Sequence, residues 1–147
     1  MSDRMRGRRG HYARFVGLTT RWADNDVYGH INNVAYYAFI DTAVNQMLIE
    51  AGLLDVTGSA VIGVAAESGC RFHASAAYPD AIQAGVRVGR LGRSSIRYEV
   101  GLFRTGEDEA TAEGFFVHVM VDRATMKPVA IPPPLRAFLE PMLGGQS

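Results

Sequence analysis

A polar segment early in the chain holds the side chains whose types and spacing could do chemistry. Asp24, Asp26, His30, Asn32 and Asn33 fall within ten residues, and a strongly apolar run follows directly. Adjacent Asn residues before such a run predict a helix start, because an Asn side chain can accept from the first free N–H groups. The sequence therefore places two carboxylates beside the positive end of a helix. We expect the functional site there.

A cation-binding loop is one interpretation of this segment. Two Asp residues two positions apart and a later Gly imitate the start of an EF-hand. The pattern fails where Tyr28 replaces an oxygen ligand and where Ala35 replaces the final Glu. A transition-metal site built from Asp24, Asp26 and His30 rests on a weak pattern of two acids and one histidine. We therefore disfavour a metal.

Two further interpretations remain open from the residues alone. In the structural one, the acids and the Asn residues cap the helix and complement its dipole. In the catalytic one, a carboxylate beside the helix acts on a bound substrate. The composition of the segment does not choose between them.

The elements that position this segment can be read from periodicity. Alternating apolar residues predict a strand over 15–22, with Val16, Leu18 and Trp22 on one side. A 3.6-residue period then predicts a helix over 34–51, ended by Gly52. Its apolar arc consists of Tyr36, Tyr37, Ile40, Ala43, Val44, Met47 and Leu48.

Four further strands follow the predicted helix, over 62–73, 82–88, 96–102 and 110–123, with a short helix over 135–143 at the end. The order is β-α-β-β-β-β. Short turns predict that the later strands are mostly antiparallel neighbours. We expect an α+β fold in which one curved five-stranded sheet wraps a long central helix.

Composition bounds the class of protein. A chain of 147 residues with 48% hydrophobic content fits one domain, which we place at 14–147. Residues 1–13 are Arg-rich, and we expect a disordered basic leader. Beyond Arg14 the chain carries 10 basic and 14 acidic residues, which argues against nucleic-acid binding. No apolar run suits membrane insertion, and the single Cys70 favours a cytoplasmic location.

The segment 21–41, R-W-A-D-N-D-V-Y-G-H-I-N-N-V-A-Y-Y-A-F-I-D, resembles the signature of a known family. The family is the 4-hydroxybenzoyl-CoA thioesterase-like branch of the hotdog-fold acyl-CoA thioesterases. Its pattern D-x-D-x-x-G-H-x-N-N-x-x-Y is matched by Asp24, Asp26, Gly29, His30, Asn32, Asn33 and Tyr36. The resemblance continues through Arg71-Phe72, Gly92-Arg93-Ser94-Ser95 and Ile131-Pro132, and covers about 15–139.

The resemblance implies a hotdog fold and hydrolysis of an acyl-CoA without a metal or redox cofactor. Asp26 matches the family's catalytic carboxylate, which attacks the thioester or activates water. The backbone N–H groups near Asn33 match those that polarise the thioester carbonyl. His30 could orient Asp26 or water, or simply close the loop. Supporting roles in loop geometry or packing fall to Asp24, Gly29, Asn32 and Tyr36.

Coenzyme A carries phosphates, so a basic surface is expected near the pocket. Arg87, Arg90, Arg93 and Arg97 cluster around one predicted turn, with Ser94 and Ser95 as further donors. Arg guanidinium groups suit phosphate oxygens. We expect Arg90, Arg93, Ser94 and Ser95 to bind the substrate, although a solvated hairpin tip is an equal alternative.

The family also implies paired subunits, so we expect a homodimer or a homotetramer made of dimers. The preferred function is an acyl-CoA thioesterase. A non-hydrolytic module that binds acyl-CoA or acyl-carrier protein is the first alternative. A hotdog hydratase or dehydratase is the second, and it is disfavoured because those enzymes resemble different motifs.

Overall fold

A five-stranded antiparallel sheet with an 18-residue helix packed on it organises the protein, in a computed structural model that describes residues 6–144. The elements are β1 (Arg14–Thr19), α1 (Asn33–Glu50), β2 (Val61–Phe72), β3 (Ala81–Leu91), β4 (Ser95–Arg104), β5 (Ala112–Asp122) and α2 (Pro133–Leu139). The predicted β-α-β-β-β-β order is confirmed. The helix has the predicted extent to within one residue at each end.

The strand order in the sheet is β1-β3-β4-β5-β2, with every neighbouring pair antiparallel. The later strands are mostly antiparallel neighbours, as predicted, but β2 does not pair with β3, the strand that follows it in sequence. The connection 73–80 spans eight residues and carries the chain across the sheet, past β5 and β4. β2 therefore lies at one edge and β1 at the other.

The helix and the inner face of the sheet share one hydrophobic core. On α1 the buried residues are Tyr36, Phe39, Ile40, Ala43, Val44, Met47 and Leu48. Phe39 takes the place that the sequence analysis gave to Tyr37, which is half-buried. Opposite the helix, Gly114 faces Ile40, and an added Cβ there would collide with the Ile40 side chain. The missing side chain lets α1 lie close to β5.

The first strand is shorter than predicted. β1 ends at Thr19, and a 3₁₀ turn, Trp22–Asp24, follows. Val16 and Leu18 are buried as expected, but Trp22 is 76% exposed. The prediction that the strand continues to Trp22 was wrong, because the period of two ends where the backbone leaves the sheet.

The described part of the predicted leader, 1–13, is packed rather than disordered. The Arg6 guanidinium donates to the Ala110 carbonyl oxygen at 2.7 and 2.9 Å. Tyr12 is buried on the outer face of the sheet. The Arg9 guanidinium likewise donates to the backbone carbonyl oxygens of Arg104 and Glu107, at and just after the end of β4, so arginine side chains hold this segment. Residues 1–5 lie outside the described residues.

The end of the chain returns to the sheet. The predicted terminal helix is present as α2, from which Leu135 and Leu139 enter the core. Among the described residues, no helix has the length and apolar character needed to cross a membrane.

Candidate functional site

The polar segment forms a tight loop between β1 and α1, and the Asp26 carboxylate closes it. Its Oδ1 accepts hydrogen bonds from the backbone N–H of Tyr28 at 2.8 Å and of His30 at 3.3 Å. The Asp26 N–H donates to the His30 carbonyl oxygen at 2.8 Å. Gly29 has a φ of 82°, in the left-handed region that favours glycine. Oδ1 is thereby fixed, and Oδ2 has no hydrogen bond from the described residues.

Asp24 has a different environment from Asp26. Its side chain is 4% exposed, and both carboxylate oxygens accept hydrogen bonds from Arg21. The Asn32 N–H donates to the Asp24 carbonyl oxygen at 2.8 Å. These contacts join the beginning of the loop to the beginning of α1. They are the contacts of a residue that holds the loop in place.

The start of α1 confirms the helix-start prediction. The Asn32 side chain accepts from the Val34 N–H at 2.9 Å and caps the helix. Asn33 is the first helical residue and is exposed. Within residues 6–144 its backbone N–H has no hydrogen-bond acceptor. A free N–H at the positive end of a helix can donate to a carbonyl oxygen that gains negative charge.

The remaining motif residues differ in exposure. The His30 ring is exposed, and it forms no hydrogen bond with the described part of the chain. Tyr36 is buried, with its ring edge-to-face against Phe72 at a centroid distance of 5.2 Å and against Phe39 at 6.2 Å. Burial raises the pKa of Tyr36. Tyr36 therefore packs beneath the site, while the His30 ring is open to solvent.

The connection 73–80 supports the loop from the side. The Tyr78 N–H donates to the Asn25 side-chain oxygen at 3.0 Å, and the Ile31 N–H donates to the Ala76 carbonyl oxygen at 2.8 Å. Sequence reasoning missed Asn25 and this connection. The Tyr-Pro-Asp run predicts a turn there, but no local pattern shows what the turn contacts.

An open groove of about 720 Å³ runs past Asp26. Its lining consists of Trp22, Asn25, Asp26, Val27, Gly29 and Asn32. Trp22, Val27 and Tyr28 are 76, 92 and 82% exposed. Large apolar side chains gathered around a carboxylate indicate a surface that is covered by a ligand or a second protein.

The arginine hairpin does not lie at this groove within one chain. The loop contacts the Ala81 end of β3, whereas Arg90 lies near the other end, roughly 30 Å away at about 3.3 Å per residue. Arg90 and Arg93 are exposed there, Ser94 lies in the turn and Ser95 begins β4.

The four arginines also do not form one cluster at the tip. Arg87 and Arg97 lie on the outer face of the sheet, where both donate to Glu99 at 2.8 and 2.9 Å. Their charge is partly offset there, so Arg90 and Arg93 remain as the exposed cations of the hairpin.

Solved structures of other proteins share this fold. The PA5185 protein from Pseudomonas aeruginosa strain PAO1 is 51% identical, with a TM-score of 0.93 over 97% of this chain and 100% of that one. The PA2801 protein of Pseudomonas aeruginosa, described as a candidate thioesterase, is 28% identical, with a TM-score of 0.78 over 84% of this chain and 95% of that one.

A third solved structure shares the fold. The gentisyl-coenzyme A thioesterase BH1999 is 20% identical, with a TM-score of 0.75 over 84% of this chain and 99% of that one. No curated protein matches the chain. The family described as the Thioesterase-like superfamily matches residues 20–139, which include the whole loop and all of the sheet except β1. The chain therefore belongs to the Thioesterase-like superfamily and has a hotdog-like fold.

Proposed function

We propose that this protein hydrolyses an acyl-CoA thioester to a carboxylic acid and free coenzyme A. One observation carries the proposal: the free oxygen of Asp26 shares a groove with the start of α1, where the Asn33 N–H is unpaired among the described residues. A carboxylate and a helix N terminus supply the two groups that acyl transfer from a thioester needs. Membership of the superfamily supports the same reaction class.

Two routes fit this arrangement. In the nucleophilic route, Asp26 Oδ2 attacks the thioester carbon, the C–S bond breaks, and water then hydrolyses the resulting anhydride. In the general-base route, Asp26 takes a proton from water as the water oxygen attacks. In both routes the Asn33 N–H donates to the carbonyl oxygen as it gains negative charge. Coenzyme A leaves as a thiolate, so a strong general acid is dispensable.

The other motif residues support Asp26 in this proposal. His30 fixes the carboxylate through its backbone N–H, and its exposed ring is available to the attacking water. Gly29 supplies the left-handed turn, and Asn32 caps α1. Asp24 anchors the loop, and Tyr36 packs below it.

The motif supports placement in the 4-hydroxybenzoyl-CoA thioesterase-like branch. BH1999 is named for gentisyl-coenzyme A, which is also a coenzyme A thioester. From that protein's name we propose only the substrate class, an acyl-CoA, for this chain. The single cysteine supports a cytoplasmic setting.

We also propose that two copies pair through β2. In residues 6–144 this strand has one neighbour, β5, and none of its 12 residues is buried. It contains no Pro and no Lys, the residues that commonly protect a free edge. Two such edges pair antiparallel about a two-fold axis. A tetramer would add a second contact between two such dimers.

This pairing would bring the distant hairpin to the loop. The Val61 end of β2 shares an end of the sheet with the β3–β4 turn, and the Phe72 end lies on the loop side. Antiparallel pairing places Phe72 of one copy near Val61 of the other. The partner's Arg90, Arg93, Ser94 and Ser95 would then bind the coenzyme A phosphates.

A hydrolysis screen tests the proposed function. Acyl-CoAs of graded chain length, aromatic acyl-CoAs included, are incubated with the protein, and the released thiol is measured. We expect thiol release that Asp26→Asn reduces by at least about 10²-fold. Saturable binding without thiol release would instead identify a binding module. A chemical change in the acyl group that leaves the thioester bond intact would identify a hydratase.

A further inference from the structure

A second cavity lies at the far end of α1 from Asp26. It has a volume of about 70 Å³ and is bounded by the last turns of α1, the start of β2 and the end of β5. Most of the lining is apolar and includes Leu48, Leu54, Val61 and Met120. One water needs roughly 10–15 Å³ of such space, so the cavity has room for roughly five non-hydrogen atoms.

Two buried polar side chains line this apolar cavity. Tyr98 is 1% exposed and His118 is 6% exposed, and their rings meet edge-to-face at a centroid distance of 5.4 Å. Neither side chain has a hydrogen-bond partner among the residues that the structure describes. Polar atoms of buried side chains are normally paired, and those of Tyr98 and His118 keep some accessible surface, unlike Thr111 Oγ1, which is fully buried. Their shared cavity is therefore the place where a partner would bind.

The hydrogen-bonding capacity of the pair defines the ligand chemistry. Burial lowers the pKa of His118, and the Asp41 carboxylate opposes this effect. A neutral imidazole offers one donor and one acceptor, and the Tyr98 hydroxyl can do both. A ligand hydroxyl satisfies such a pair because it also donates and accepts. A carboxylate does not, since its charge would be buried without a cation.

The position of the cavity connects it to the candidate site of a second copy. Three of its lining residues, Val61, Ile62 and Gly63, lie at the start of the β2 edge. In the proposed dimer this end of β2 lies beside the partner's Phe72. Within each copy, Phe72 packs on Tyr36 beneath the motif. An acyl group attached near one copy's Asp26 would therefore extend toward the other copy's cavity.

We infer that this cavity receives the far end of the acyl group and selects acyl groups that carry a hydroxyl there. The inference rests on the proposed function and adds a substrate class to it. Tyr98 and His118 are the residues that determine this specificity. An acyl group with a plain methyl end would leave both of them unpaired, and sites with unpaired polar groups discriminate against such analogues.

Matched pairs of substrates test the inference. Straight-chain acyl-CoAs of graded length are compared with the ω-hydroxy acyl-CoAs of the same length. We expect kcat/KM to favour the hydroxylated member by about 3- to 10-fold at one length, as one net hydrogen bond allows. Tyr98→Phe should reduce this ratio to about one. The ratio is taken within each variant, so a change in overall activity does not affect it.

Tyr12→Phe is the matched control, because it removes the hydroxyl of another buried tyrosine on the opposite face of the sheet. The control should keep the ratio of the unaltered protein. A ratio near one in the unaltered protein at every length would overturn the inference, as would a preference that survives Tyr98→Phe.

A binding measurement separates this inference from the proposed function. n-Butanol, which has the size of the cavity, should shift the His118 ring resonances saturably, and more strongly than n-butyl chloride. Tyr98→Phe should weaken the butanol effect. If no acyl-CoA is hydrolysed but butanol binds in this way, the thioesterase proposal fails and the site stands. If hydrolysis occurs but butanol does not shift His118, the site is wrong.

Discussion

The Asn25 side-chain oxygen accepts a hydrogen bond from the backbone N–H of Tyr78 at 3.0 Å and so joins the motif loop to the connection before β3. Asn25 lies between the two acids of the motif, one of which is buried and one partly exposed. A second contact, from the Ile31 N–H to the Ala76 carbonyl oxygen at 2.8 Å, holds the far side of the loop. The position of Asp26 therefore depends on residues about fifty positions away.

Replacing Asn25 by Ala should lower kcat by about tenfold while KM changes little. The lost contact lets the loop shift by a fraction of an ångström, and a 1 Å displacement can cost 10²-fold in rate. Asn25→Asp keeps the accepting oxygen and should restore most of the rate. Steady-state kinetics on one acyl-CoA provides the measurement. Gln46→Ala is the control, since it removes an amide whose side chain bonds to Glu50 within α1. Equal losses in Asn25→Ala and Asn25→Asp would contradict the positioning role.

Much of the frame around the site could be predicted from the sequence, because its signals are local. Asn32 before an apolar run identifies the start of α1, and Gly52 its end. Alternation identified all five strands. These features depend on residues that are close together in the chain, so the local sequence is enough to predict them.

Features that depend on tertiary contacts could not be predicted in the same way. The pairing of β2 with β5 is not local, and neither is the Asn25 contact with Tyr78. The exposed position of Trp22 follows from where the backbone leaves the sheet, which periodicity does not show. The distance between the arginine hairpin and Asp26 is likewise a tertiary feature. It becomes evident only in the structure, where the loop lies at one end of β3 and the hairpin at the other.

Asp26→Asn should reduce kcat by at least about 10²-fold with little change in KM or melting temperature. The Asn side chain keeps an oxygen that can accept from Tyr28 and His30, so the turn persists, but the anionic nucleophile or base is lost. Asp24→Asn is the matched control. It weakens the contact of the buried Asp24 side chain with Arg21, whose own side chain is largely exposed, and should lower the free energy of unfolding more than Asp26→Asn does. If Asp26→Asn lowers the melting temperature and leaves kcat unchanged, Asp26 is structural.

Ala66→Lys should shift the protein toward the monomer and reduce its activity. Ala66 is exposed near the middle of β2, so a two-fold axis would place two lysines close together. Sedimentation at micromolar concentration, with kinetics on the same samples, provides the measurement. Ala137→Lys on the exposed side of α2 is the control and should change neither. A dimer that survives Ala66→Lys unchanged would place the interface elsewhere.

Cys70 should react slowly with iodoacetamide near neutral pH. Partial burial, and secondarily the Glu113 carboxylate, raises the pKa of its thiol to about 11. A raised pKa keeps the thiol protonated, and the thiolate is the reactive form. The alkylation rate should therefore keep rising about tenfold per pH unit through pH ~9.5. Free cysteine, with a pKa of about 8.5, is the control and levels off earlier. A plateau at the same pH for both would show that Cys70 is not perturbed.

Gly114→Ala should destabilise the protein by about 1–3 kcal/mol, the usual cost of overpacking a core. An added Cβ would meet the Ile40 side chain and, at 2.8 Å, the backbone oxygen of Gly69. The backbone oxygen cannot move without disturbing the β2–β5 ladder. Gly17→Ala is the control, because an added Cβ there meets nothing within 4 Å. Urea unfolding should show a change of less than about 0.5 kcal/mol for that variant.

A second substitution tests whether the Gly114 effect comes from the closeness of α1 to the sheet. Ile40→Val removes one methyl group from the crowded contact and should cost about 0.5–1.5 kcal/mol in the unaltered protein. In the Gly114→Ala background the same change should cost less or become favourable, because it makes room for the new Cβ. The double-mutant cycle then gives a coupling of about 0.5 kcal/mol or more. Strictly additive losses would show that Gly114 is not what permits α1 to lie against β5.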